Sequence, residues 1–322
     1  MAEAAFVTGG SGFIGGRLVE RLVADGRPVR ALARSEASAE RVAALGAEPV
    51  PGDIGERSSL VDAASGCDVA FHLAAHLGEW GPWEEFERGN VEGTRNVLGA
   101  CADAGVRRFV HCGTEAALMA GEPLVNIDET APLRPDSRAP YPATKAKAEQ
   151  AVREASREGF ETVVVRPRFV WGKGDTTLLP EMVATVEAGK WAWVGGGGNV
   201  TDTTHVDNVV EGLVLAAETG TPGEAYFVTD GEPVVFREFV SALLKTQGVE
   251  PPSRSIPAWT AGPLARISEA AWKVLPLRGD PPMTTFRSWL LTQECTIDIS
   301  KARAELGYTP IVSHEQGLAG LR

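Results

Sequence analysis

The chain has 322 residues and a net charge of -12, which leaves no basic footprint for DNA or RNA and argues against nucleic acid as a partner. No apolar run reaches the roughly 18 residues that a bilayer span needs, and no charged-then-apolar leader opens the chain, so stable membrane insertion is not expected. Four scattered cysteines suit a reducing cytoplasm, and five histidines form no ligand pattern, so no metal is expected.

Taken in chain order, the hydrophobic pattern alternates between strand and helix for about the first 170 residues. Strands are predicted at residues 4–8, 28–33, 47–51, 68–73, 107–112 and 161–166, with helices near 12–25, 36–45, 56–64, 84–104 and 143–158. That rhythm predicts an α/β fold, a doubly wound (Rossmann) parallel sheet over residues 1–175. Beyond Pro167 the rhythm breaks up into four consecutive glycines (Gly195–Gly198), clustered prolines and tryptophans. A smaller C-terminal substrate-binding domain over 176–322 is expected, with elements within 204–230 returning to the first domain.

The first strand runs into Gly9-Gly10-Ser11-Gly12-Phe13-Ile14-Gly15 and then a helix, which is the context a dinucleotide-binding turn requires. Such glycines let backbone approach a pyrophosphate, and the helix start offers unpaired N–H groups to it. At the end of the second strand Ala33 fills the position where NAD sites usually carry an acid, and Arg34 follows it. NADP(H) is therefore the expected cofactor, with Arg34 and Ser35 on the 2′-phosphate. NAD(H), held through Glu36 or another acid, is the competing possibility.

Tyr141 precedes Lys145 by four residues, which on a helix places ammonium and phenol on one face. A nearby cation stabilises phenolate, and the expectation is a tyrosine tuned to trade protons near neutrality.

These motifs resemble the extended short-chain dehydrogenases/reductases, most closely the 3β-hydroxysteroid dehydrogenase and dihydroflavonol reductase branch. The resemblance is carried by the Thr8–Gly15 turn, Gly52-Asp53-Ile54, His72-Leu73-Ala74-Ala75, Asn90-Val91-Glu92-Gly93-Thr94, Tyr141-x-x-x-Lys145, Arg166–Gly172, His205-Val206-Asp207-Asn208 and Leu306-Gly307-Tyr308. It implies a ketoreductase or alcohol dehydrogenase in which Thr114, in place of the usual serine, bonds the reacting oxygen. Tyr141 would give the proton, and Lys145 would tune Tyr141 and hold the nicotinamide ribose. Asp53 and Ile54 would lie at the adenine, Leu73, Ala74, Ala75 and Asn90 along the dinucleotide, and Pro167, Phe169 and Val170 near the nicotinamide. A possible homodimer is left open.

Two other readings compete with the ketoreductase. A sugar-nucleotide epimerase or dehydratase of the same superfamily is disfavoured because the segment reads Thr114-Glu115-Ala116, with one acid where elimination uses two. A non-catalytic NADP-binding regulator is disfavoured by the retained Tyr141 and Lys145. The expected substrate is an apolar or aromatic carbonyl compound or its alcohol, because tryptophans crowd the loop after the fourth strand and the later half. Its expected contacts are His76, Glu79, Trp80, Glu115, Arg168, Trp191 and Trp193, with Trp259, Phe286 and Trp289 as further walls. Residues 253–291, with five basic side chains against two acidic ones, are expected to cover the pocket as a lid.

Overall fold

The computed structural model describes residues 3–275 and 277–322, so Pro276 within the expected lid lies outside the described residues. The first half alternates β1 (Ala5–Thr8), α1 (Phe13–Ala24), β2 (Val29–Ala33), α2 (Glu36–Ala44), β3 (Glu48–Pro51), α3 (Arg57–Ala64) and β4 (Val69–His72). A short α4 (Trp83–Phe86), a π-helical stretch (Glu87–Glu92) and α5 (Gly93–Asp103) then lead to β5 (Arg108–Cys112). The predicted helix at 84–104 is thus three segments in one run, widened in its middle by the π stretch.

The second half runs β6 (Leu124–Ile127), α6 (Pro140–Glu154), β7 (Glu161–Pro167), β8 (Val170–Trp171), α7 (Leu178–Glu187), β9 (Trp193–Val194), β10 (Val200–Thr201) and β11 (Thr204–His205). It continues with α8 (Val206–Thr219), β12 (Ala225–Val228), β13 (Val234–Val235), α9 (Phe236–Thr246), β14 (Ser255–Ile256), α10 (Ala261–Val274), α11 (Thr285–Thr292), β15 (Cys295–Ile297) and α12 (His314–Ala319). Seven strands form one parallel sheet in the order β12-β7-β5-β4-β1-β2-β3. Its inner strands are short, largely apolar and buried on both faces, as a sheet covered by helices on both sides demands, and the edge strand β3 is mostly exposed. Leu18, Val19 and Leu22 of α1 and Val209, Val210 and Leu213 of α8 pack one face. Leu60 of α3, Val97 and Leu98 of α5 and Val152 of α6 pack the other.

The strand order reverses between β1 and β4, which opens a crevice at their carboxyl ends where open α/β sheets bind ligands. A second, four-stranded sheet has the order β13-β10-β15-β6. Through β6, residues 124–127 of the first half pair with Cys295–Ile297 of the second, so the expected division at residue 175 is crossed by hydrogen bonds. Helix α8 packs on the parallel sheet, and β12 pairs β7 at its edge.

Helix α6 begins at Pro140, three residues earlier than predicted, and Tyr141 lies in its first turn. Proline fits this position because its missing N–H is one of the unpaired donors of a helix start. The helix stops at Glu154 and not at 158, after which Arg157 bridges to Phe160 in a tight turn.

Candidate active site

Gly9 and Gly15 make the turn after β1 possible. Gly9 has φ 75, and a Cβ there would sit 2.8 Å from the backbone nitrogen of Ala74. A Cβ on Gly15 would meet the Gly9 carbonyl oxygen at 2.1 Å. Gly12 caps α1 with no side-chain bond, leaving the first N–H groups of that helix free to meet an anion. A groove of about 660 Å³ opens there, lined by Gly9, Gly12, Arg34, Asp53, Ile54, Leu73, Ala74 and Ala75 among others. Such a channel, with the uncapped amides of a glycine turn in its wall, fits a dinucleotide.

Other expected cofactor residues have local partners of their own. Gly10 packs towards Ala31 and Val19, and Ile14 packs on the core. Phe13 approaches Gly174. Ser35 caps α2, accepting from the Ser38 N–H at 3.2 Å, so its hydroxyl is engaged locally. Asp53 closes a turn by accepting from the Gly55 N–H at 2.7 Å while lining the groove.

Asn90, expected on the dinucleotide, is instead a buried clamp. It accepts from the His76 N–H at 2.7 Å and donates to the His76 carbonyl at 3.2 Å and to the Thr144 hydroxyl at 3.1 Å. It thereby ties the loop after β4 to α6. Sequence reasoning missed Ser11, Ser38 and Arg88 in the groove. Arg88 had no readable signal, because the π stretch that turns it towards the groove is invisible to helical periodicity.

The proposed chemical residues meet at the carboxyl end of β5. Lys145 and Glu149, one turn apart on α6, both face the sheet and are buried. The Lys145 ammonium donates to the Cys112 carbonyl at 3.1 Å, and burial pushes its pKa below the ordinary value. Glu149 pairs with Arg166 of β7, both fully buried, and the guanidinium lies 5.0 Å over the Phe227 ring. Thr114 caps the short 3-10 turn that follows, accepting from Ala116 N–H at 3.2 Å. Its hydroxyl donates to Glu115 Oε2 at 2.8 Å.

The phenol of Tyr141 departs from the sequence expectation. Burial, and then the nearby Glu115 carboxylate, hold it well above its ordinary pKa, while a hydrogen bond with Thr114 pulls the other way. Burial outweighs the lowering expected from Lys145, whose ammonium donates to the Cys112 carbonyl.

A second cavity of about 200 Å³ lies between the two sheets' ends, with apolar walls that include Phe169, Met182, Trp191, Phe236, Met283 and Leu291. Glu79, Arg168 and Thr201 also line it. Phe169 holds φ 42, a left-handed conformation uncommon for a bulky residue, and lies edge-on against Phe236 and Phe239. Pro167 ends β7 and Val170 pairs with Thr204, so of the three only Phe169 reaches this cavity.

Several expected substrate contacts lie elsewhere. Trp193 is sealed in the core with its indole N–H on the Pro252 carbonyl at 2.6 Å. His76 lines the first groove and not the second cavity, held edge-on by Phe86. Trp80 lies under the Lys273 ammonium of α10, 5.7 Å away, and Trp259 is 77% exposed. Glu115 is buried and bonded to Arg168 at 2.5 Å, and so does not present a free acid. Phe286 packs on Tyr141 and Trp289 on Gly121, which closes the Tyr141 side and not the cavity.

The expected lid consists largely of α10 and α11. Arg287 of α11 donates to Glu79 at 2.7 Å and to Glu181 of α7 at 2.9 Å, linking it to the loop after β4 across the cavity. No helix among the described residues is long and apolar enough to cross a membrane. A larger, polar hollow lined by Asp68, Arg107, Arg108 and Glu161 lies at the amino ends of the strands. It is remote from the groove and offers a network of ion pairs in place of reactive groups.

Comparison with known proteins agrees with this geometry. A ketoreductase from Stigmatella aurantiaca, named for 4-hydroxy-2-methyl-3-oxo-4-farnesyl-3,4-dihydroquinoline-1-oxide, is 48% identical over 98% of this chain and 95% of its own. A 2-alkyl-3-oxoalkanoate reductase from Stenotrophomonas maltophilia (strain K279a) is 38% identical over 98% of this chain and 97% of its own. Among solved structures, a dTDP-glucose 4,6-dehydratase from Streptomyces venezuelae with NAD bound superposes with a TM-score of 0.76 at 27% identity, covering 98% of this chain and 94% of that one. Residues 6–258 match the 3-beta hydroxysteroid dehydrogenase/isomerase family. The chain belongs to that family, within the extended short-chain dehydrogenases/reductases.

Proposed function

We propose that this protein is an NADPH-dependent ketoreductase acting on the ketone of an apolar or aromatic small molecule. The observation that carries the reading is the convergence of Thr114, Tyr141 and Lys145 at the carboxyl end of β5, where the Thr114 hydroxyl bonds the phenol and the Lys145 ammonium bonds the Cys112 carbonyl. The cofactor supplies the hydride to the carbonyl carbon when bound. Tyr141, kept protonated by burial, donates its proton to the carbonyl oxygen, and the Thr114 hydroxyl orients that oxygen. Lys145 holds the nicotinamide ribose and Tyr141 in register. The 48% and 38% identical relatives, both named as reductases of oxo compounds, support this class of reaction.

The cofactor choice rests on β2. Its last residue, Ala33, has no carboxylate for a ribose 2′-hydroxyl, and Arg34 stands exposed in the lining of the groove, as does Arg88. Two guanidinium groups suit a 2′-phosphate. The test is kcat/KM for NADPH and NADH in wild type and Arg34→Ala. A preference for NADPH that survives the substitution intact removes Arg34 from this role, and a preference for NADH removes the assignment.

The dehydratase-like structural neighbour favours one other reading, turnover of a nucleotide-sugar with the cofactor regenerated in each cycle. Against it, the acid that elimination would use is locked in the Glu115–Arg168 pair, and Ala116 provides no second one. Loss of reduced-nicotinamide absorbance with apolar ketones supports the ketoreductase. Conversion of a nucleotide-sugar without net NADPH loss would replace it.

A further inference from the structure

Arg168 is a buried cation in a cavity whose walls are mostly apolar, only 2% exposed, and its packing does not account for it. Nε donates to Thr201 Oγ1 at 2.8 Å and Nη1 to Glu115 Oε1 at 2.5 Å. The backbone beneath is fixed as well, since the Thr204 hydroxyl accepts from the Arg168 N–H at 3.1 Å and donates to its carbonyl at 2.9 Å. The fork is therefore locked in one orientation. Nη2 donates to none of the described residues, yet it is not among the buried polar atoms sealed without a partner. Arg168 lines the cavity, and Nη2 is the guanidinium nitrogen that its protein partners leave to face it.

A guanidinium has donors and no acceptor, so what completes this one is an oxygen carrying lone pairs. Its place relative to the chemistry is set by Glu115, whose one oxygen takes Arg168 and whose other takes the Thr114 hydroxyl. One carboxylate thus separates the free arm from the group that orients the reacting oxygen. We infer that Arg168 Nη2 binds a second substrate oxygen, a carbonyl or carboxylate oxygen on the carbon two positions from the ketone carbon that is reduced. The inference rests on the ketoreductase reading and narrows it from apolar ketones to apolar β-oxygenated ketones. Glu115 already balances the guanidinium, so the subsite requires an acceptor and not a countercharge. Glu115 and Thr201 are positioning residues here, because they hold the fork and leave its third donor free.

The test compares a straight-chain methyl ketone, the matching β-keto methyl ester and the free β-keto acid, in wild type, Arg168→Lys and the double variant Glu115→Gln/Arg168→Met. Arg168→Lys keeps a positive charge beside Glu115 without the planar fork, and the double variant leaves no unpaired buried charge. Each compound is measured by kcat/KM with NADPH and, without cofactor, by titration of tryptophan fluorescence, because Trp191 lines the cavity. Wild type should favour at least one β-keto compound over the plain ketone by on the order of 10- to 100-fold, as a charge-assisted hydrogen bond provides. Both variants should lose most of that ratio, whatever loss all substrates share. A preference for the ester alone, the acid alone or both identifies the acceptor and supports the subsite.

No wild-type preference in either measurement, or a preference that both variants retain, overturns it. Failure of the two readings looks different. An Arg168-dependent preference in fluorescence with no turnover of any ketone keeps the subsite and removes the ketoreductase. Turnover of all three compounds at ratios indifferent to Arg168 removes the subsite and keeps the ketoreductase.

Discussion

A phenol that burial holds above its ordinary pKa stays protonated across the working range, which suits a donor in the reductive direction. Tyr141→Phe should therefore lower kcat by on the order of 100- to 10,000-fold, while NADPH still binds, since the groove is built from other residues. A full-rate Phe variant in a stopped-flow or steady-state assay would refute the mechanism. Thr114→Ala should cost about 10- to 1000-fold, the range for one oxyanion donor, and so less than the loss of the proton itself. The residues carrying these predictions were readable because their signals are local: glycines in a turn, and a tyrosine and lysine one helical turn apart. Glu115 and Arg168 are 53 positions apart and meet only through the fold, so no spacing announces their pairing. Trp193 misled for a related reason, since an aromatic in an irregular segment reads the same whether it lines a cavity or fills a core.

At the level of elements, the parallel sheet was legible almost strand by strand, because short apolar runs alternating with amphipathic helices admit few other architectures. β6 was missed because its four residues pair with Cys295–Ile297, at the far end of the chain, and have no periodicity of their own. Two contacts between elements carry measurable consequences. Glu149 of α6 and Arg166 of β7 pair with no exposure to water, so Glu149→Ala strands a buried guanidinium and should destabilise by about 3–5 kcal/mol. Urea denaturation measures this, and a loss near zero would mean that water reaches the site. Asp202, between β10 and β11, accepts from the Ile297 N–H of β15 at 2.8 Å, and burial lifts its pKa to about 6. The folded chain then binds more protons than the unfolded one between roughly pH 4 and 6, so this group lowers stability as pH rises through that window. Asp202→Asn keeps an acceptor and removes the charge. It should raise Tm above pH 6 and lose the advantage towards pH 4, and a gain that grows on acidification would contradict the assignment.

Over the whole molecule, the cavity is closed by parts of the chain that are distant in sequence. Glu79 comes from the loop after β4, Glu181 from α7 and Arg287 from α11, and the guanidinium joins the two acids at 2.7 and 2.9 Å. The Thr284 hydroxyl adds a bond to Glu79 at 3.0 Å, and Lys273 of α10 covers Trp80 of the same loop. These contacts are partly exposed, so each is weak alone and screened by salt. That weakness suits a cover that opens for the proposed substrate and closes over it. Arg287→Leu should therefore raise the substrate KM several-fold, and hydrogen exchange should quicken in residues 261–275 and 75–83. The dissociation constant for NADPH should change much less, because the glycine turn and β2 lie outside the latch. High salt should move wild type towards the variant's KM while leaving the variant itself little changed. Equal losses in NADPH and substrate binding would mean that the substitution had loosened the whole fold, and an unchanged KM with unchanged exchange would mean that α10 and α11 are fixed walls of the cavity and not its cover.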